Sequence, residues 1–108
     1  MPKLTMNAKL REAARCHSLD MARNDFFSHT SSNGSSPGDR MTKAGYNWTT
    51  WGENIAKGYP TPKDVVSGWM NSTPHCENIM SSDFVDTGVG YVYDSKDSKP
   101  YWTETFAK

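Results

Sequence analysis

Two histidines and a glutamate, His29, Glu53 and His75, sit in three short segments: Phe26-Phe27-Ser28-His29, Gly52-Glu53-Asn54-Ile55-Ala56 and Pro74-His75-Cys76-Glu77-Asn78-Ile79-Met80. Two neutral imidazoles and one carboxylate suit a divalent ion of borderline softness such as zinc, and three protein ligands leave a coordination position open for water or substrate. Only folding can bring the three together, because the segments are far apart in sequence and the histidines lack the i, i+4 spacing that sets two imidazoles on one helix face. The competing reading is a metal-free polar cleft, in which Glu53 caps backbone groups or pairs with a histidine and organises the fold.

The elements that must position these residues can be read from periodicity and end signals. Asn7 to Arg23 reads as a helix, with Leu10, Ala14, His17 and Met21 recurring at three- and four-residue steps. His17 lies on that apolar stripe and reads as a core histidine with one ring nitrogen hydrogen-bonded. Asn24 to Ser36 is rich in Ser, Asn and Gly, which predicts a loop holding His29. Ser36-Pro37-Gly38-Asp39 gives an N-cap, a proline in the first turn and an early acid, and Gly45 suits the end of a short second helix. Thr61-Pro62-Lys63-Asp64 repeats the start signal before the stripe Val65, Val66, Trp69 and Met70. Thr73-Pro74 starts one more turn, and His75 near a helix N-terminus is held towards the neutral, metal-competent ring. Asn54-Ile55-Ala56, Thr87 to Tyr93 and Tyr101 to Phe106 read as strands, the last two joined as a hairpin across the polar segment 94–100. Asn54 and Asn78 read as structural residues that satisfy loose backbone groups. Helices followed by late strands predict an α+β fold.

The 108 residues are 35% hydrophobic and 12% aromatic, with 12 basic and 12 acidic residues. That is chain enough for one core, and the expectation is a single domain over residues 1–108. Zero formal net charge and no basic run argue against nucleic acid as the main partner. No stretch is apolar enough to span a bilayer. Met1-Pro2-Lys3-Leu4 lacks the apolar region of a signal peptide, so any secretion signal has been removed or lies outside this sequence.

The His29, Glu53 and His75 segments follow Ala13-Ala14-Arg15-Cys16-His17-Ser18-Leu19-Asp20-Met21-Ala22 and precede Gly88-Val89-Gly90-Tyr91 and Tyr101-Trp102-Thr103-Glu104-Thr105-Phe106. In that order they resemble the CAP superfamily, the SCP-like fold of cysteine-rich secretory proteins, antigen 5 and plant pathogenesis-related proteins of class 1. The match is to its small bacterial secreted branch. The resemblance implies an α-β-α sandwich with a central antiparallel sheet and an extracellular or cell-envelope location. Members usually open with a helix ahead of the match to Pro2, Leu4, Asn7 and Leu10. Here that helix is missing, which implies a domain truncated at its N-terminus relative to the family.

By the same resemblance His29 and His75 match the cleft histidines, which bind a divalent ion in some members, and Glu53 matches the first cleft acid. The implied roles are His29 and His75 as metal ligands at about 2.0–2.1 Å, with zinc as the leading ion. Glu53 would orient a histidine or accept a hydrogen bond from metal-bound water. The second acid usually follows the tryptophan matched by Trp69, and Asn71 and Ser72 occupy that stretch. The implied function is a binding module for a lipid, sterol, wall glycan or protein, leaning away from catalysis. The alternative is a metal-dependent hydrolase with Glu53 as general base. Tyr46, Trp48, Trp51 and Tyr59 could supply stacking surface or core. The two cysteines of a secreted-type domain, Cys16 and Cys76, are most simply a disulfide, inferred from their number and not from family precedent. Closing a loop of about 60 residues would stabilise the fold by about 4 kcal/mol. Two reduced thiols, or a Cys76 thiolate joining the metal, are the rival readings.

Overall fold

The computed structural model describes residues 3–108, and Pro2, which opens the sequence match, lies outside the described residues. The chain runs β1 (Thr5–Met6), α1 (Ala8–Asn24), α2 (Pro37–Lys43), β2 (Trp51–Lys57), α3 (Pro62–Met70), α4 (Thr73–Met80), β3 (Asp86–Asp94) and β4 (Lys99–Ala107). The helix starts are those the caps announce. Asn7 accepts from the N–H groups of Lys9 and Leu10, Ser36 and Asp39 form a complete capping box, and Thr61 accepts from the Asp64 N–H.

One sheet is ordered β1-β3-β4-β2. β3, β4 and β2 are antiparallel, as the fold class implies, and the two-residue β1 adds a parallel edge against β3. The strand made last therefore lies between the other two long strands. Registers pair Glu53 with Thr105 and Ile55 with Thr103, while Asn54 pairs with Glu104 and Ala56 with Trp102. Directly opposed residues share a face, so these pairs sort the sheet into two sides.

On one side lies α1. The Thr105 hydroxyl donates to the Leu10 carbonyl at 2.9 Å, and Ser18 Oγ lies 2.8 Å from Thr103 Oγ1. The approach is so close that a Cβ on Gly88 or Gly90 would stand 2.1–2.3 Å from the nearest backbone atoms of α1. Only glycine lets helix and strand meet at that distance. On the other side α3 and α4 pack Val65, Trp69 and Ile79 against Ala56, Trp102 and Phe106, with Phe84 beside them. The layers are thus helix, sheet, helix. Glu104 is the acid on this second face, and the Thr87 hydroxyl oxygen lies 2.9 Å from both Glu104 Oε2 and the Thr105 carbonyl.

α4 is longer than the single turn predicted, because Thr73-Pro74 opens a run that buries Ile79 before it ends at Met80. The expected Cys16–Cys76 disulfide is not formed: both cysteines are free, Cys16 exposed and Cys76 partly buried. Cys16 belongs to α1 and Cys76 to α4, on opposite faces of the sheet, whereas a bridge needs the two Cα atoms within about 7 Å.

A candidate two-histidine cleft

The candidate site wraps the edge of the sheet at β2. His29 comes from the loop on the α1 side, His75 from the N-terminal turn of α4 on the other, and both line one cleft of about 490 Å³. Ile55, Tyr59, Trp69 and Ser72 complete its wall. Two side chains occupy carbonyls of this edge strand: Trp69 Nε1–H donates to the Ile55 carbonyl at 3.1 Å and the Asn78 amide donates to that of Glu53 at 3.3 Å. That blunts the strand against pairing with another chain.

Each histidine is held by its Nδ1. In His29 it lies 2.8 Å from Glu53 Oε1. An ionised carboxylate only accepts, so Nδ1–H is the donor and the neutral ring leaves Nε2 with a free lone pair. In His75 it lies 2.8 Å from Ser72 Oγ. With Nδ1–H donating to that hydroxyl, Nε2 is again the free nitrogen. Ser72 is the N-cap of α4 yet makes no side-chain bond to the backbone there. The His75 pKa is lowered, first by burial and then by the charge of His29. Neutrality was expected from the helix N-terminus. The direction agrees, and the cause is different.

Glu53 stands behind His29. Its side chain is 1% exposed, against 52% for His29, and its second oxygen takes the Arg40 guanidinium at 2.5 Å. Among the described residues no group of three His, Cys, Asp or Glu side chains is placed to hold a metal. Both oxygens of Glu53 are thus committed to protein partners, one to the His29 imidazole and one to the Arg40 guanidinium.

Arg40 is the functional residue that sequence reading missed. Besides Glu53 it donates from Nη1 to the His29 carbonyl at 2.9 Å and to Ser31 Oγ at 2.7 Å, so one guanidinium holds both the loop and the acid that aims its histidine. Its only local signal is its place beside the buried Met41 on α2. His17, fully buried, bonds through Nε2 to the Ser28 carbonyl at 2.7 Å. It is the core histidine expected, and it also anchors the residue before His29. Burial pushes its pKa down, against the raising influence of Glu53.

Asn54 and Asn78 are structural, as read. Asn54 donates to the His75 carbonyl at 3.1 Å and Asn78 donates to Asn54 Oδ1 at 2.9 Å, tying α4 to β2. Of the four aromatics near Glu53, only Tyr59 lines the cleft. Trp48 and Trp51 meet edge to face, with Trp48 Nε1–H donating to the Gly38 carbonyl, and the Tyr46 hydroxyl donates to Asp86. Cys76 does not join the histidines. It faces a separate cavity, because successive helical residues point about 100° apart.

A profile of the cysteine-rich secretory protein family, CAP, matches residues 1–106. The chain belongs to the CAP family. This CAP chain is 43% identical over 103 residues to the protein YkwD of Bacillus subtilis, covering 95% of this chain and 38% of that protein. It superposes at a TM-score of 0.90 on an extracellular SCP-domain protein of Bacillus anthracis, at 32% identity over all of this chain and 34% of that one. An outer surface protein of Borrelia burgdorferi shares the fold at a TM-score of 0.89 and 23% identity, over all of this chain and 79% of that one. The chain spans little more than a third of YkwD. No helix among the described residues is long and apolar enough to cross a membrane.

Proposed function

We propose that this CAP domain acts outside the cell or at its envelope as a binding module whose His29–His75 cleft takes a divalent metal, zinc first. The observation that supports this is the matched tethering of the two rings at Nδ1. Each has its Nδ1 tied back, by Glu53 or by Ser72, and each leaves Nε2 free in the same cleft. That is the arrangement in which outer hydrogen bonds fix the tautomer of a metal-binding histidine. When bound, the ion would supply a Lewis-acidic centre with positions left for a ligand. The extracellular and surface descriptions of the Bacillus anthracis and Borrelia proteins support the location.

The burial of Glu53 weighs against the hydrolase alternative. A general base must reach the water it deprotonates, and this carboxylate is enclosed between Arg40 and His29. The apolar wall of the cleft, with Phe27, Tyr59 and Trp69, instead suits the covering of a lipid, sterol, wall glycan or protein surface.

Thermal melts with zinc test the reading. A ligand that binds only the folded state stabilises it by about 2.7 kcal/mol at a free concentration about 100 times its Kd. The melting temperature should rise with zinc at neutral pH and the gain should vanish below the histidine titration range, where protonated rings cannot bind. His29→Ala with His75→Ala should abolish it. An unchanged melting temperature, or a gain that survives the double substitution, refutes the metal site.

A further inference from the structure

Three sulfur-bearing residues line one cavity at the corner between α3 and α4. Met70 ends α3, and Cys76 and Met80 lie four residues apart on α4, the spacing that stacks side chains on one helix face. All three line one surface cavity of about 250 Å³, with Glu77 at its rim. Neither methionine serves the core. Their neighbours Trp69 and Ile79 are the buried residues of this corner, whereas Met70 and Met80 remain 39% and 40% exposed. The Cys76 thiol is free.

Two thioethers and a thiol form a soft donor set that selects copper(I) over the harder divalent ions. Methionine has three rotatable bonds and a polarisable sulfur, so its thioether adapts to an ion held by a neighbouring thiolate. We infer that Met70, Cys76 and Met80 form a binding site for a soft monovalent metal ion of the copper(I) class, separate from the histidine cleft. On binding, the Cys76 S–H bond breaks as the sulfur–metal bond forms. The proton passes to solvent, and the oxidation states of sulfur and metal do not change. The carboxylate of Glu77 adds attraction for the incoming cation. His75 takes no part, because its Nδ1 is bonded to Ser72 and its ring lines the other cleft.

The test is an anaerobic titration of the reduced 108-residue protein with copper(I) in competition with the coloured chelator bicinchoninate. One equivalent per chain should be withdrawn from the chelator, and X-ray absorption should find sulfur neighbours only. Cys76→Ser should abolish the withdrawal. Met70→Leu with Met80→Leu should weaken it by about tenfold or more. Cys16→Ser and His29→Ala should leave it unchanged, with circular dichroism showing each variant folded. The site is overturned if the chelator keeps all the copper, or if nitrogen neighbours are found. It is equally overturned if the double methionine variant binds like the parent, or if binding is lost with Cys16 or His29.

Discussion

Glu53 and Glu104 stand on neighbouring strands of one sheet, one residue apart in register and on opposite faces, and their surroundings make different groups of them. Glu53 has a guanidinium on one oxygen and an imidazole N–H on the other. Among the described residues no charged side chain meets Glu104: burial pushes its pKa up to about 7, and the Thr87 hydroxyl offsets only part of that. The hydroxyl geometry agrees. One proton on Thr87 cannot serve both Glu104 and the Thr105 carbonyl, but a protonated Glu104 can donate to Thr87 while Thr87 donates to the carbonyl. Burial alone therefore does not say what a carboxyl group does in this domain. The partner on the facing layer decides, and among the described residues the α1–α2 layer supplies the cation, Arg40.

Glu53→Gln should break this contrast with the largest effect. It leaves the buried Arg40 charge unpaired, and removing one partner of such a pair costs about 3–5 kcal/mol, read by denaturant unfolding. Adding Arg40→Met should recover much of the loss, since the cost is that of an orphaned charge. If Glu53→Gln unfolds at the parent's denaturant midpoint, the pair does not hold the site.

Glu104→Gln sharpens the comparison by removing the titration. The folded-state pKa of about 7 lies above the ordinary 4.5, so the group's contribution is complete below the unfolded value and is lost as pH rises through about 7. Relative to the parent, Glu104→Gln should gain up to roughly 3 kcal/mol between about pH 4 and about pH 8. Parallel stability profiles for the two proteins would show that folding does not raise the Glu104 pKa.

The smallest effect tests the bridge behind the acids. Asn78→Ala removes the amide that reaches the Glu53 carbonyl and Asn54, which should cost about 1–2 kcal/mol. It should also weaken zinc stabilisation through His75, whose carbonyl Asn54 holds. A variant that loses stability but keeps the full zinc shift would separate α4 docking from the cleft.

These dependencies were unequally visible in the chain. Helix starts were legible because Asn7, Ser36-Pro37 and Thr61-Pro62 act within one turn of themselves. The strands were found but drawn short, and β1 was missed, because two residues have no period and β1 exists only through its pairing with β3. His29, Glu53 and His75 stood out by type and wording, and His29 and His75 do share a cleft. Their division of labour was hidden, since it turns on Arg40, whose partner is set by how α2 sits over β2. The disulfide failed for the same reason: counting cysteines carries no information about which face of a sheet each occupies.

The strand order has a consequence for how the molecule comes into being. β4 lies between β3 and β2 and supplies the threonines that dock α1, yet it follows both of them in the chain. A nascent chain emerging at ~5–20 residues per second holds α1, β2 and β3 without the strand that joins them. The sheet cannot close until residues 99–107 are free to pair, and until then the earlier segments travel as an unassembled polypeptide.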